Sequence, residues 1–196
     1  HVVSWHRFAL AELPATPWKN GGGTTREVAA WPPGASVQDF DWRISVATIA
    51  ADGPFSAFAG IDRVITLLAG DGVLLQGAGW SHALDEALAP FAFAGDEPVQ
   101  ATLLGGASED FNVMTRRGRC QAQVRVVRTA QPIAAAGQDR ADGAAGRARH
   151  VVGGIEDTGT PGAAGRAKTI SCGPASDVFK PNRAYVGVNK RGIAIK

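Results

Sequence analysis

Polar side chains recur at every second position in three short runs of this sequence, and their types suit acid, base and anion chemistry. In Trp42-Arg43-Ile44-Ser45-Val46-Ala47, alternation across a strand puts Arg43, Ser45 and Ala47 on one face and Trp42, Ile44 and Val46 on the other. After Gly21-Gly22-Gly23, Thr25 and Glu27 share a face, opposite Arg26 and Val28. In Asp110-Phe111-Asn112-Val113-Met114, the trio Asp110, Asn112 and Met114 opposes Phe111 and Val113. A polar strand face ordinarily looks at water. Three faces built of Arg, Glu, Asp, Asn, Ser and Thr, rather than a lysine-rich mixture, instead suit mutual satisfaction at close range. On the inside of a barrel, such faces imply a bound small molecule or trapped water.

Metal and nucleophile chemistry lack their usual patterns. The four histidines, His1, His6, His82 and His150, stand apart, with no His-x-His or His-x-x-x-His pair, so no metal site and no cofactor are expected. Cys120 and Cys172 belong to no CxxC or Cys/His spacing, which argues against a zinc site or a disulfide framework and suits a reducing cytosol. Ser81 and His82 are neighbours without a nucleophile elbow, so an acyl-transfer triad is not indicated. The triple glycine lacks the Lys-Ser/Thr of a phosphate loop and precedes no helix; it reads as a close or φ-positive approach of backbone to a strand.

The elements that must carry these residues are strands. Turn residues punctuate the first two thirds at short intervals, among them Pro32-Pro33-Gly34, Asp52-Gly53-Pro54, Gly70-Asp71-Gly72 and Gly105-Gly106. The runs between them predict strands over Thr24–Ala30, Trp42–Ala50, Arg63–Ala69, Gly72–Gln76, Val99–Leu104, Phe111–Arg116 and Cys120–Arg128, with one helical turn at Leu84–Ala89 limited by Pro90. The expected fold class is all-β, a barrel over residues 1–127. Residues 128–196 differ: no leucine follows Arg128, and alanine, glycine and arginine dominate from Ala130 to Lys168. So few large apolar side chains poorly offset backbone ordering, so much of Gln131–Lys168 is expected to be mobile. A hairpin is expected within 184–195, from Ala184–Val188 and Gly192–Ile195.

With a net charge of +2 over 196 residues, the chain carries no field that implies nucleic acid or an anionic membrane. No secretory leader or apolar run long enough to span a bilayer is read, and a cytoplasmic location is expected.

Beyond pattern, Pro17-Trp18-Lys19-Asn20-Gly21-Gly22-Gly23-Thr24-Thr25-Arg26-Glu27 resembles the opening signature of the HutD/Ves family, associated in many bacteria with histidine utilisation. So does Trp42-Arg43-Ile44-Ser45-Val46-Ala47. Asp52-Gly53-Pro54-Phe55-Ser56-Ala57-Phe58-Ala59-Gly60-Ile61-Asp62-Arg63 and Asp110-Phe111-Asn112-Val113-Met114 are similar to two later blocks, in the same order, over roughly Trp5 to Val127. The resemblance implies a cupin-like (RmlC-like jelly roll) fold, two small barrels in one chain, without the metal-binding histidines of catalytic cupins. The second barrel fits residues 128–196 poorly. The site residues it implies are Asn20, Thr25, Glu27, Arg43, Ser45, Arg63, Asp110 and Asn112.

The family role implied is a non-enzymatic protein that senses a small acid such as formylglutamate or urocanate. Arg43 and Arg63 would be its anion partners, because a guanidinium fork matches a carboxylate bidentately. For each arginine, an internal ion pair with Glu27, Asp62 or Asp110 is the competing reading. The alternative function is a metal-free enzyme with Glu27 or Asp110 as general base on an imidazole or formyl compound. The expected partner is thus a small anionic metabolite, with homodimerisation left open.

Overall fold

The computed structural model describes residues 6–8, 10–124, 148–152, 168–172, 186–189 and 192–195. In chain order its strands are β1 (His6–Phe8), β2 (Ala15–Pro17), β3 (Gly23–Trp31), β4 (Trp42–Ile49), β5 (Gly53–Phe55), β6 (Ile61–Ala69), β7 (Val73–Gly77) and β8 (Trp80–Leu84). They continue with β9 (Pro90–Ala94), β10 (Val99–Leu103), β11 (Ser108–Arg116), β12 (Cys120–Val124), β13 (Ala148–Val152), β14 (Lys168–Cys172), β15 (Val186–Asn189) and β16 (Gly192–Ile195). The only helical piece among the described residues is one 3-10 turn at Leu10–Glu12. Two compact units divide the chain, one Leu13–Arg117 and the other His1–Glu12 with Gly118–Lys196.

In the unit Leu13–Arg117, a six-stranded antiparallel sheet in the order β2-β3-β4-β11-β6-β9 faces a four-stranded one in the order β5-β10-β7-β8. This is the all-β, cupin-like barrel expected. Period-two patterning explains the joint interior: Ile49, Ile65 and Leu67 from the larger sheet pack against Phe55, Val73, Leu75, Leu84, Val99 and Ala101 from the smaller. Aromatic contacts link the two sheets along both pairs of edges. Trp18, just after β2, meets Phe55 of β5 edge to face at 6.0 Å, and Trp80 of β8 meets Phe91 and Phe93 of β9 at 5.5 and 5.7 Å. In the central strands the opposite face is buried as well, through Trp42, Ile44, Val46, Phe111 and Val113.

The triple glycine has a steric reason. Gly21 takes φ +73°, and a Cβ on Gly23 would run into the Thr48 carbonyl of the paired strand and the Trp18 ring. Gly23→Ala is therefore expected to destabilise the fold by roughly 1–3 kcal/mol, as overpacking does, measured by urea unfolding. An unchanged midpoint would contradict that packing.

Two expectations are corrected. The helical turn at Leu84–Ala89 does not form: Leu84 ends β8, Leu88 takes φ +74°, and Pro90 begins β9. The absence of a disulfide is overturned too, because Cys120 is disulfide-bonded and stands opposite Cys172 in the β12–β14 register. A separation of 51 intervening residues gave the sequence no spacing signal to read.

In the other unit, β1-β16-β15 and β12-β14-β13 form three-stranded antiparallel sheets. The expected terminal hairpin appears as β15 paired with β16, Asn189 opposite Gly192. Of the stretch Gln131–Lys168, β13 and the first residue of β14 are described as strand; the rest lies outside the described residues.

Candidate anion-binding site

Strand β4 runs between β3 and β11, and its register decides which polar side chains meet. Ser45 lies opposite Glu27 on one side and Asn112 on the other; Ala47 lies opposite Thr25 and Asp110. On the far side of β11, Asp110 faces Leu67, Asn112 faces Ile65, and Met114 faces Arg63. Ile65 and Leu67 belong to the apolar interior, so the polar faces read from the sequence share the inner face of the barrel. Asn20 does not join them: it is exposed, and its Oδ1 accepts the Gly22 amide at 3.0 Å, holding the turn into β3. Thr25 serves the same hairpin, its Oγ1 accepting the Trp18 indole N–H at 2.7 Å.

The two arginines differ in their partners. Arg43 donates through Nε to Glu27 at 2.7 Å, with Glu27 about half exposed, its side chain at 45%. The terminal nitrogens of Arg43 make no hydrogen bond among the described residues. Arg63 is buried, 7% exposed, and donates through Nη2 to Asn112 Oδ1 at 3.1 Å, while its Nε has no partner. No carboxylate lies within ion-pair distance of it among the described residues. Burial, and secondarily the charge of Arg43, lower its pKa to about 10, which leaves it cationic at neutral pH.

Three rings enclose this guanidinium: Phe93 at 5.0 Å, Phe55 at 5.3 Å and Phe58 at 5.9 Å from the ring centroids. Such contacts offset part of the desolvation of a cation but neutralise none of its charge. Sequence reading missed these rings as site components, although Phe55 and Phe58 fall in the block that precedes Arg63.

Farther along the same inner face, Asp110 is wholly buried and neither carboxylate oxygen has a hydrogen-bond partner. Burial, helped by the neighbouring Glu109 charge, raises its pKa to about 7. The barrel thus holds an unpaired cation and an unpaired acid on one face. His82 takes no part in a metal set; its ring stacks on Phe91 at 3.8 Å, and no group of three His, Cys, Asp or Glu among the described residues is placed to hold an ion.

Because Glu27 keeps access to water, removing Arg43 strands no buried charge. Arg43→Met is expected to cost about 1 kcal/mol or less in unfolding free energy. A loss of several kcal/mol on chemical denaturation would instead make the pair a buttress of the fold.

A family model described as HutD matches residues 10–147. The chain is 50% identical over 121 residues to Protein Ves of Citrobacter koseri, covering 61% of this chain and 62% of that protein. Protein Ves of Cronobacter sakazakii is 48% identical over 121 residues, 61% of this chain and 65% of that one. The chain therefore spans less than two thirds of the length of these relatives. Among solved structures, HutD from Pseudomonas fluorescens SBW25 superimposes with a TM-score of 0.60 at 24% identity, over 98% of this chain and 96% of that one. A conserved protein of unknown function from Pseudomonas aeruginosa PAO1 gives a TM-score of 0.62 at 24% identity, over 98% and 97%.

Proposed function

This chain belongs to the HutD/Ves family, and from that premise we propose that its barrel binds a small carboxylic acid through Arg63, Arg43 and Asn112, in a regulatory or accessory role in histidine utilisation. One observation carries the reading: Arg63 is a buried guanidinium with no carboxylate within ion-pair distance among the described residues. A buried charge without a counter-ion costs several kcal/mol, and an anion arriving from outside removes that cost. The free terminal nitrogens of Arg43 add donors on the same face. With Glu27 spent on Arg43 and Asp110 neutral below about pH 7, the site carries a net single positive charge, which suits one carboxylate group, that of a urocanate-like acid or one of the two of a formylglutamate-like acid. The test is calorimetric titration of these two acids into the wild type and Arg63→Met; an absence of saturable binding by either acid in the wild type overturns the reading.

A second reading, a metal-free enzyme, is favoured by Asp110, because a carboxyl titrating at about 7 is poised for general base work. Turnover of an imidazole or formyl substrate, lost in Asp110→Asn, would select it. Among the described residues no helix is long and apolar enough to cross a membrane. A cytoplasmic site of action remains part of the proposal, and the disulfide at Cys120 weighs against it.

A further inference from the structure

We propose that Asp110 is a second anchor of this site, donating a hydrogen bond from its protonated carboxyl, and that the ligand class is therefore a carboxylic acid carrying a neutral carbonyl a few bonds away. The inference rests on the anion-binding reading of Arg63 and adds to it the chemistry of the ligand's other end.

The geometry begins with β11. Asp110 and Asn112 are two residues apart on the same face, a separation of about 7 Å along a strand. Asn112 touches Arg63, so the anion end of the site is fixed there. Asp110 is fully buried with both oxygens unpartnered, and a buried polar group in that state calls for a partner from outside the chain.

What that partner must be follows from the surroundings. Across β4, Asp110 faces Ala47, and Thr25 lies one strand beyond; across β6 it faces Leu67. The smaller sheet contributes Val73, Leu75, Leu84, Val99 and Ala101 to the interior, none of which titrates. On its own strand Asn112 is neutral, and the charge of Glu109 adds to the effect of burial. With no cation facing it among the described residues, the carboxyl is held neutral below about pH 7 and presents an O–H to be accepted. A ligand carbonyl accepts that proton's hydrogen bond without bringing a second charge into an apolar environment. A second carboxylate there would be repelled once Asp110 ionises.

The linkage has a definite sign. Binding that needs the protonated carboxyl is strongest below its pKa and weakens as pH rises through about 7. The probes are levulinate, which carries a ketone, and valerate, the same chain without it, titrated by calorimetry at pH 6 and pH 8. At pH 6 the wild type is expected to bind levulinate at least tenfold more tightly than valerate, with the preference shrinking at pH 8. Asp110→Asn, which keeps a donor but does not titrate, should retain the preference at both pH values, and Asp110→Ala should abolish it.

Arg63→Met should weaken both probes alike. Equal binding of the probes by the wild type, or a preference that survives Asp110→Ala, overturns the second anchor. If Arg63→Met still weakens both probes in either case, the anion-binding reading stands. Binding untouched by Arg63→Met overturns that reading and this inference together.

Discussion

Arg63→Met is expected to weaken binding of a formylglutamate- or urocanate-like acid by roughly 2–5 kcal/mol, which is on the order of 30-fold to several thousandfold in Kd. The size follows from burial: a carboxylate seated between Arg63 and Arg43 loses its water, and removing the buried cation leaves it poorly matched. The stability of the free protein should move the other way or not at all. Among the described residues Arg63 has no carboxylate to strand, its methylene stem is replaced by a methionine of similar reach, and the desolvation of an unpaired charge disappears. What is lost is one hydrogen bond to Asn112 and the contacts with three phenylalanine rings. Titration calorimetry and thermal melting on the same preparation separate the cases. Unchanged affinity with a large drop in Tm would mean that Arg63 is a structural residue.

How much of this arrangement the sequence discloses depends on how local the determining physics is. Alternation along a strand is local, so the shared faces of Thr25 with Glu27, of Arg43 with Ser45 and of Asp110 with Asn112 could be read directly, and the ladders bring them onto one inner face. The bulge after Glu27 falls just past the polar pair and leaves that reading intact. Edge strands β8 and β9 were harder to see. Trp80–Leu84 and Pro90–Ala94 are short, and the alternation of Phe91 and Phe93 with alanines was the signal available for the second.

Pairing between side chains is not local. Nothing in the sequence decides whether Arg43 or Arg63 meets Glu27; the register does, by setting Glu27 opposite Ser45, within reach of Arg43, while Arg63 lies beyond β11 on β6. Similarly, Asn20 stands beside the triple glycine in the same block as Thr25 and Glu27, yet it faces a turn because a residue outside the ladder has no period-two constraint. Cys172, which stands opposite Cys120 in the ladder, lies on β14, a strand that no apolar pattern announced.

The second large effect concerns Asp110 and the pH dependence of stability. Its carboxyl titrates at about 7 in the folded chain, against an ordinary value of 3.8, so between those values the native state binds a proton that the unfolded state has lost. Stability linked to this group is fully present below pH 3.8 and is lost as pH rises to about 7, a change on the order of 4 kcal/mol. Asp110→Asn does not titrate and should escape that loss. At pH 8 the variant is therefore expected to be more stable than the wild type by a few kcal/mol, and near pH 4 the two should be similar. Comparing the two proteins cancels the other carboxylates, including Asp96, whose pKa Arg117 depresses to about 2 and whose contribution runs in the opposite direction. Urea unfolding of both proteins from pH 4 to pH 8 measures the difference, and curves that stay parallel across that range would mean that Asp110 is ionised and satisfied in the folded protein. An acid kept buried at such a cost above neutrality stabilises nothing by itself. Its place on the face that holds Arg63 and Asn112 accords with the role proposed for it as a second ligand anchor.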